Sequence, residues 1–328
     1  MKFISSLLFL LTSLVFAAGA WWLQQPLTLQ NDVVAVTVEP GEPARAVVQS
    51  LVEGGVQVQP QLLYWWIRLS GQSRQLKAGS YEISGNPNPR ALIAKLVRGE
   101  VAMRSVTLVE GLTFAQWREL LRKAPNLKGD TQDLGDAAIM EKLGRPGVHP
   151  EGRFFPNTYS YAKGSSDLAL LKRALQEMDQ RLASVWAQRA PDSPLKTPDE
   201  ALVLASIVEK ETGRPSDRGQ ISGVFNNRLR KGMLLQTDPT VIYGLGPKFD
   251  GNLRKRDLLA DTPYNTYTRA GLPPTPIAMP SMDALLAAVQ PAQTAALYFV
   301  ARGDGTSEFS ATLQEHNRAV RKYQLGQH

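Results

Sequence analysis

The sequence predicts an α+β protein with an N-terminal membrane helix, a small α+β subdomain and a larger mixed α+β domain. Three observations carry this. Residues 3–23 are apolar apart from small hydroxyl residues. Residues 33–100 alternate short β-branched runs with amphipathic stretches, in the order strand, helix, helix, strand, helix. Beyond residue 101, apolar side chains recur at spacings of three and four over long windows, with short strands between them.

The first run is long enough to cross a bilayer as a helix. Lys2 precedes it, and Trp21 and Trp22 suit the membrane–water interface at its far end. No Lys or Arg occurs between Lys2 and Arg45, whereas Asp32, Glu39 and Glu42 do. That asymmetry puts the N-terminus in the cytoplasm and the body outside. Ala18-Gly19-Ala20 has the small-x-small form of a signal-peptide cleavage site. The run is long for a signal peptide and the paired tryptophans sit awkwardly after a cut, so an uncleaved anchor over residues 1–23 is the expectation. Residues 24–32, polar and holding Pro26, read as a linker.

Residues 33–38 form a strand and Glu39-Pro40-Gly41 a turn. Helices follow at 44–52 and at 60–69, the second carrying Tyr64, Trp65 and Trp66. A strand at 79–83 and a helix at 88–98 complete the subdomain. Residues 101–109 read as a strand and 113–124 as a helix capped by Thr113. Residues 126–151, polar and punctuated by glycine, read as a flexible or variable insert. The aromatic stretch from Glu151 to Tyr159 is expected as a loop too short to be a core element. Amphipathic helices are expected at 168–188 and 218–230. The proline-rich stretch 271–280 must be extended or turning. A short helix at 282–289, a hairpin of 298–301 with 308–309 and a closing helix at 313–323 end the chain.

A chain of 328 residues has room for two or three domains. It contains no cysteine, which excludes disulfides and thiolate chemistry. Its 3 histidines, His149, His316 and His328, are too scattered for a zinc site, and no Gly-rich phosphate loop is present. No metal or cofactor is therefore expected. The net charge of +7 includes the clusters Arg228-Leu229-Arg230-Lys231 and Arg254-Lys255-Arg256, read as mostly solvated. Behind an export segment, an acidic cell-surface polymer or an anionic membrane is the expected partner rather than nucleic acid.

One helix points to chemistry. Thr197-Pro198-Asp199-Glu200 combines a capping hydroxyl, a proline at the first helical position and a glutamate in capping-box register. The helix then runs almost entirely apolar until it carries Glu209 and Glu211 into its own hydrophobic surface. At about 100° per residue, Glu211 falls between Leu204 and Ile207, and Glu209 lies about 160° away. The two acids cannot act as a close pair, and the bulkier apolar groups favour Glu211 as the buried one. An apolar wall raises a carboxyl pKa, as a general acid working near neutral pH requires. The plain alternative is a C-terminal turn with solvated acids. Glu209 reads as structural, paired with a nearby arginine.

Polar groups also gather in three loops: Gln236-Thr237-Asp238-Pro239-Thr240, Tyr264-Asn265-Thr266-Tyr267 and His316-Asn317. Singly each is a routine turn. Together they suit sugar binding, because rings stack on sugar faces and amides and carboxylates bond the hydroxyls. The strings 205–212, 235–244 and 264–267 with 271–274, together with 151–159 and His316-Asn317, resemble in order and spacing the signature of the endolytic murein transglycosylases, the YceG-like family. One departure follows Glu211, where Gly213 and Pro215 end the helix sharply.

The resemblance implies a single-pass inner-membrane protein with its body in the periplasm. It implies a LysM-like subdomain over residues 33–100, holding peptidoglycan, and a catalytic domain over 101–328. The family's catalytic glutamate falls on Glu211. Gln236, Asp238, Tyr264, Asn265 and Thr266 are the expected cleft residues. The implied reaction cuts the bond between N-acetylmuramic acid and N-acetylglucosamine within glycan strands and leaves 1,6-anhydro ends. Peptidoglycan synthases are the implied partners. Two alternatives remain: a hydrolase using Asp238 as base or nucleophile, and a non-catalytic glycan-binding scaffold of the envelope.

Overall fold

The computed structural model describes the backbone of residues 2–212 and 214–326; the side chains of residues 2–9, 12 and 15 lie outside the described set. Helix α1 (Lys2–Trp22) covers residues 2–22 of the expected anchor, whose first side chains lie outside the described set. Among the described residues no helix is long and apolar enough to cross a membrane. Contacts divide the chain into two units, residues 1–105 with 125–127 and 160–165, and residues 106–124 with 128–159 and 166–328.

The first unit is built on a two-stranded antiparallel sheet. After β1 (Thr28–Leu29), strand β2 (Val33–Val38) pairs with β4 (Gly79–Ser84) in the register Val33↔Ser84 to Val38↔Gly79. Alternation buries Val34, Val36 and Val38 on one face of β2, as a half-buried strand requires. Between these strands lie α2 (Ala44–Glu53), β3 (Val56–Gln57) and α3 (Pro60–Leu69), and α4 (Pro89–Arg98) follows. Val47, Leu51, Leu63, Ile67, Leu92 and Leu96 from the three helices share one core with the strand valines. Asn88 caps α4 by accepting from the Ala91 amide at 2.8 Å. The stretch expected as a linker is instead part of this unit. Leu27 is 6% exposed, and β1 pairs antiparallel with β3.

The elements that follow are β5 (Met103–Leu108), α5 (Phe114–Lys123), α6 (Asp136–Lys142), β6 (Asn157–Ala162), α7 (Asp167–Ala187), α8 (Pro198–Glu211) and α9 (Pro215–Arg230). Then come α10 (Asp238–Leu245), α11 (Lys255–Leu259), α12 (Met282–Val289), β7 (Tyr298–Ala301), β8 (Ser307–Ser310) and α13 (Leu313–Tyr323). β5 pairs with β6, and β7 with β8.

Helix α8 is the axis of the second unit. Residues 201–208 are all buried, and α7, α9 and α12 contribute to the core around them. Its start is fixed as the sequence predicts: Thr197 Oγ1 accepts from the Glu200 amide at 3.1 Å, with Pro198 at the first position. Ser206 Oγ donates to the Val203 carbonyl at 2.7 Å and accepts from the Ile277 amide at 3.0 Å, so the helix also pins the extended proline-rich stretch. Helix α9 passes so close to residues 292–294 that a Cβ on Gly223 would lie 2.8 Å from the Ala292 carbonyl oxygen. Gly213, the expected stop after Glu211, lies outside the described residues, and α9 begins earlier than expected, at Pro215.

Two further sequence expectations are overturned. The insert at 126–151 holds α6, whose Ile139 and Met140 are fully buried. The aromatic stretch is core: Phe154 is 0% exposed and stacks on Phe114 with ring centroids 5.1 Å apart. Aromatic payload outweighs element length here, because Phe154 also meets Trp117 from α5. Phe154→Ala is therefore expected to cost about 3–5 kcal/mol in urea unfolding. A loss below about 0.5 kcal/mol, the range of an exposed loop side chain, would return the stretch to the surface.

Candidate active site

Five segments meet at one cleft of about 550 Å³ in the second unit: the end of α8, the end of α9 with the turn into α10, the loop holding Tyr267, the β7 strand and α13. Glu211, Gln236 and Asp238 line it, with Arg228, Tyr267, Tyr298 and His316.

Glu211 is half-buried at the last turn of α8. Burial pushes its carboxyl above the ordinary carboxylate range. The Thr237 hydroxyl donates to Glu211 Oε1 and opposes the rise, the nearby Asp238 charge adds to it, and the Arg228 cation opposes it. Desolvation is the largest of these effects, so the net shift is upward.

Thr237 is held by other threonines. Its amide donates to Thr266 Oγ1 at 3.1 Å, and Thr266 Oγ1 lies 2.9 Å from Thr240 Oγ1. Thr240 Oγ1 in turn donates to the Thr237 carbonyl at 2.8 Å. All three are nearly fully buried, which fixes the hydroxyl that faces Glu211. Gln236 precedes this knot with φ at 51°, in the left-handed region. Its amide donates to the Thr266 carbonyl at 3.1 Å.

Asp238 opens α10 and is exposed in the cleft. Its Oδ1 accepts from the Tyr267 hydroxyl at 2.5 Å. Burial raises the Tyr267 phenol, and the Asp238 carboxylate holds its proton further.

Arg228, read from the sequence as part of a solvated cluster, is only 7% exposed. Backbone carbonyls replace its water: Nε donates to Leu297 at 2.7 Å and Nη1 to Leu235 at 2.8 Å. Its guanidinium lies 5.2 Å from the Tyr298 ring centroid, and His316 stacks on the same ring at 5.2 Å. Burial lowers the His316 pKa and the Arg228 charge lowers it further, both favouring the neutral ring. Asn317 is exposed and is absent from the cleft wall.

Three predicted cleft residues sit elsewhere. Asn265 is 1% exposed, and its Nδ2 donates to the carbonyls of Asp257, Leu258 and Ala260. It ties its own loop to α11 rather than facing a ligand. Thr266 belongs to the threonine knot. Tyr264 packs edge-on against Tyr243 at 5.0 Å and its hydroxyl meets Thr275 Oγ1 at 2.8 Å. Glu209 is structural but not through an arginine. Its Oε2 accepts from the Ser281 amide at 2.9 Å and from the Ser281 hydroxyl, the N-cap of α12.

Sequence reasoning missed Thr237, Arg228, Tyr267 and Tyr298 as members of this site. Thr237 is the buried member of an exposed, buried, exposed alternation over residues 236–238, which only the folded structure displays. Among the described residues, no group of three or more His, Asp or Glu side chains is placed to hold a metal ion.

A family model described as YceG-like matches residues 36–322. An endolytic murein transglycosylase of Bacillus subtilis is 30% identical over 310 residues, covering 89% of this chain and 85% of that protein. A protein of the same name from Streptococcus pneumoniae is 27% identical over 327 residues, and the match covers 88% of this chain but 58% of that longer protein. A solved structure of a YceG-like protein from Listeria monocytogenes has a TM-score of 0.56 and 29% identity, covering 88% of this chain and 98% of that one. On this evidence of sequence and fold, the chain belongs to the YceG-like family.

Proposed function

We propose that the chain is an endolytic murein transglycosylase, acting on peptidoglycan strands during cell-wall assembly and controlling their length. The observation that carries this is a single carboxyl, Glu211, whose protonated form burial favours at the wall of a polar, aromatic cleft. The names of the Bacillus and pneumococcal relatives support the same reading.

Protonated Glu211 gives its proton to the oxygen linking N-acetylmuramic acid to N-acetylglucosamine. The C1–O bond breaks, the glucosamine leaves with a 4-hydroxyl, and C1 takes on oxocarbenium character. Glu211, now a carboxylate, removes the proton from the muramic C6 hydroxyl as O6 closes on C1. The product is a 1,6-anhydro end, and no water is consumed. Asp238 contributes negative charge beside the developing cation, which stabilises it. The hydrolase alternative asks Asp238 to act as base or nucleophile. Its engagement by the Tyr267 hydroxyl favours an electrostatic role instead. Gln236 lines the cleft and is the proposed amide contact to the sugar.

The anchor and the first unit complete the proposal. A 21-residue helix is about 30 Å long, the thickness of a bilayer core. Residues 3–23 are thus proposed as a single inner-membrane span, with the body in the periplasm and peptidoglycan synthases as partners. The strand–helix–helix–strand order of the first unit supports reading residues 33–100 as a LysM-like glycan-binding subdomain.

Mass spectrometry of digested glycan strands is expected to show 1,6-anhydro ends. Reducing ends would favour the hydrolase, and no cleavage at all the scaffold. Glu211→Gln is expected to lose at least about 100-fold in turnover, the usual contribution of a positioned acid–base. Equal activity would remove Glu211 from the chemistry.

The acid step requires protonated Glu211, so kcat/KM falls as pH rises through its pKa. Thr237→Val deletes a donor that favours the carboxylate, so this alkaline limb should move to higher pH. A stationary limb in the pH–rate profile would deny Thr237 that influence.

A raised carboxyl pKa also makes the folded state hold its proton more tightly than the unfolded chain does. Its stability contribution is greatest below the ordinary carboxylate value and is lost as pH rises through the folded pKa. Glu211→Gln should therefore raise the melting temperature at pH 8, and the gain should shrink towards pH 4. A gain independent of pH would contradict the burial argument.

A further inference from the structure

Glu151 lines no part of the cleft, yet it is only 3% exposed. Its Oε1 accepts from the Phe114 amide at 3.0 Å, in the first turn of α5. Its Oε2 accepts from the Tyr243 hydroxyl at 3.1 Å, in α10. The partners are an amide and a phenol rather than a cation, and burial drives the carboxyl up to about 7. A buried carboxyl without a counter-charge is a costly choice for mere packing.

Its surroundings fix it closely. The Glu151 amide donates to His149 Nδ1 at 3.2 Å. Gly152 has φ at 76°, and a Cβ there would lie 2.4 Å from Pro276 Cβ, so no larger residue fits that backbone. The Tyr243 ring packs against Tyr264, which is bonded to Thr275. The charged and titratable groups around Glu151 are Tyr243 on α10, Asp136 on α6, and His149 and Arg153 on its own loop.

Tyr243 and the acid's partners share one helix. α10 begins at Asp238, and Thr237 stands immediately before it. A helix rises 1.5 Å per residue, so Tyr243 lies roughly 7.5 Å along the axis from Asp238. Over so short a span a helix moves as a unit. A displacement at Tyr243 reaches the Thr237 hydroxyl that bonds Glu211 and the Asp238 carboxylate beside it.

We propose that Glu151 is a positioning residue for Glu211: through the Tyr243 phenol it fixes the placement of α10, and with it the Thr237 hydroxyl and the Asp238 charge that face the acid. This rests on the reading of Glu211 as the general acid. A carboxylate suits the task because its two oxygens accept from two elements at once. A glutamine at this position accepts from Phe114 and offers its amide to the Tyr243 oxygen, so it keeps the bridge.

The test compares Tyr243→Phe, Glu151→Ala and Glu151→Gln in the full chain on purified glycan strands. Assays run well below the lowest melting midpoint, so that each variant is folded. Tyr243→Phe and Glu151→Ala should lower kcat about 10- to 100-fold with KM held within about threefold, because geometry around the acid changes and strand binding does not. Glu151→Gln should recover kcat to within about threefold of the parent. A purely structural role would lower melting temperature and leave kcat unchanged. That result in Tyr243→Phe, or Glu151→Gln as slow as Glu151→Ala, would overturn the proposal. A substrate-free readout separates it from the functional reading: carboxyl 13C NMR should show Glu211 titrating at least about half a pH unit closer to the ordinary carboxylate value in Tyr243→Phe. An unmoved Glu211 titration in the folded variant sinks the positioning role. Absence of glycan cleavage by the parent sinks only the function.

Discussion

The site depends on one constraint: a carboxyl at the end of a helix that has no polar face. Helix α8 is buried over residues 201–208, so its last turn carries Glu211 out of the core with little water around it. The surrounding structure can then do only two things for that acid, give it a donor or leave it protonated. It does both in measure. A single hydroxyl, that of Thr237, reaches the carboxyl, and two more buried threonines hold the Thr237 main chain. One neutral donor offsets only part of the effect of burial. The result is a carboxyl whose proton is held more tightly than on a free side chain, the direction the proposed acid role asks for.

The neighbouring charges follow the same logic. Arg228 is buried near the acid, but it is satisfied by main-chain carbonyls and the face of Tyr298 rather than by Glu211 itself. A direct ion pair would pull the carboxyl towards permanent ionisation. Asp238 pushes the other way and is held at arm's length by Tyr267. The cleft separates cation and acid while keeping both within electrostatic reach.

Much of this was legible in the sequence where the determinants are local. The Thr197–Pro198 start of α8, the side of the helix that Glu211 occupies and the alternation in β2 all follow from spacing alone. Glu211, Gln236 and Asp238 do meet in one cleft. What spacing could not give is who answers whom across the chain. Asn265 and Thr266 looked like sugar-binding groups, because nothing local says that three carbonyls and a buried hydroxyl already claim them. Arg228 looked solvated because its carbonyl partners come from residues 234–235 and 297. Phe154 looked peripheral because its stacking partner, Phe114, lies forty residues earlier, in α5. For Phe154, Thr266 and the Leu297 bond of Arg228 the missing contact is distant in sequence; for Asn265 it lies only five to eight residues back, in an irregular turn that periodicity does not read.

Gln236 holds a backbone twist that side-chain-bearing residues rarely adopt, one position before the hydroxyl that meets the acid. That torsion sets the direction in which the chain enters the threonine knot. Evolutionary drift at this position is thereby channelled. Asparagine or glycine accepts the twist easily, whereas valine or isoleucine resists it and would turn the following hydroxyl aside. A residue whose side chain looks replaceable thus constrains the lineage through its main chain.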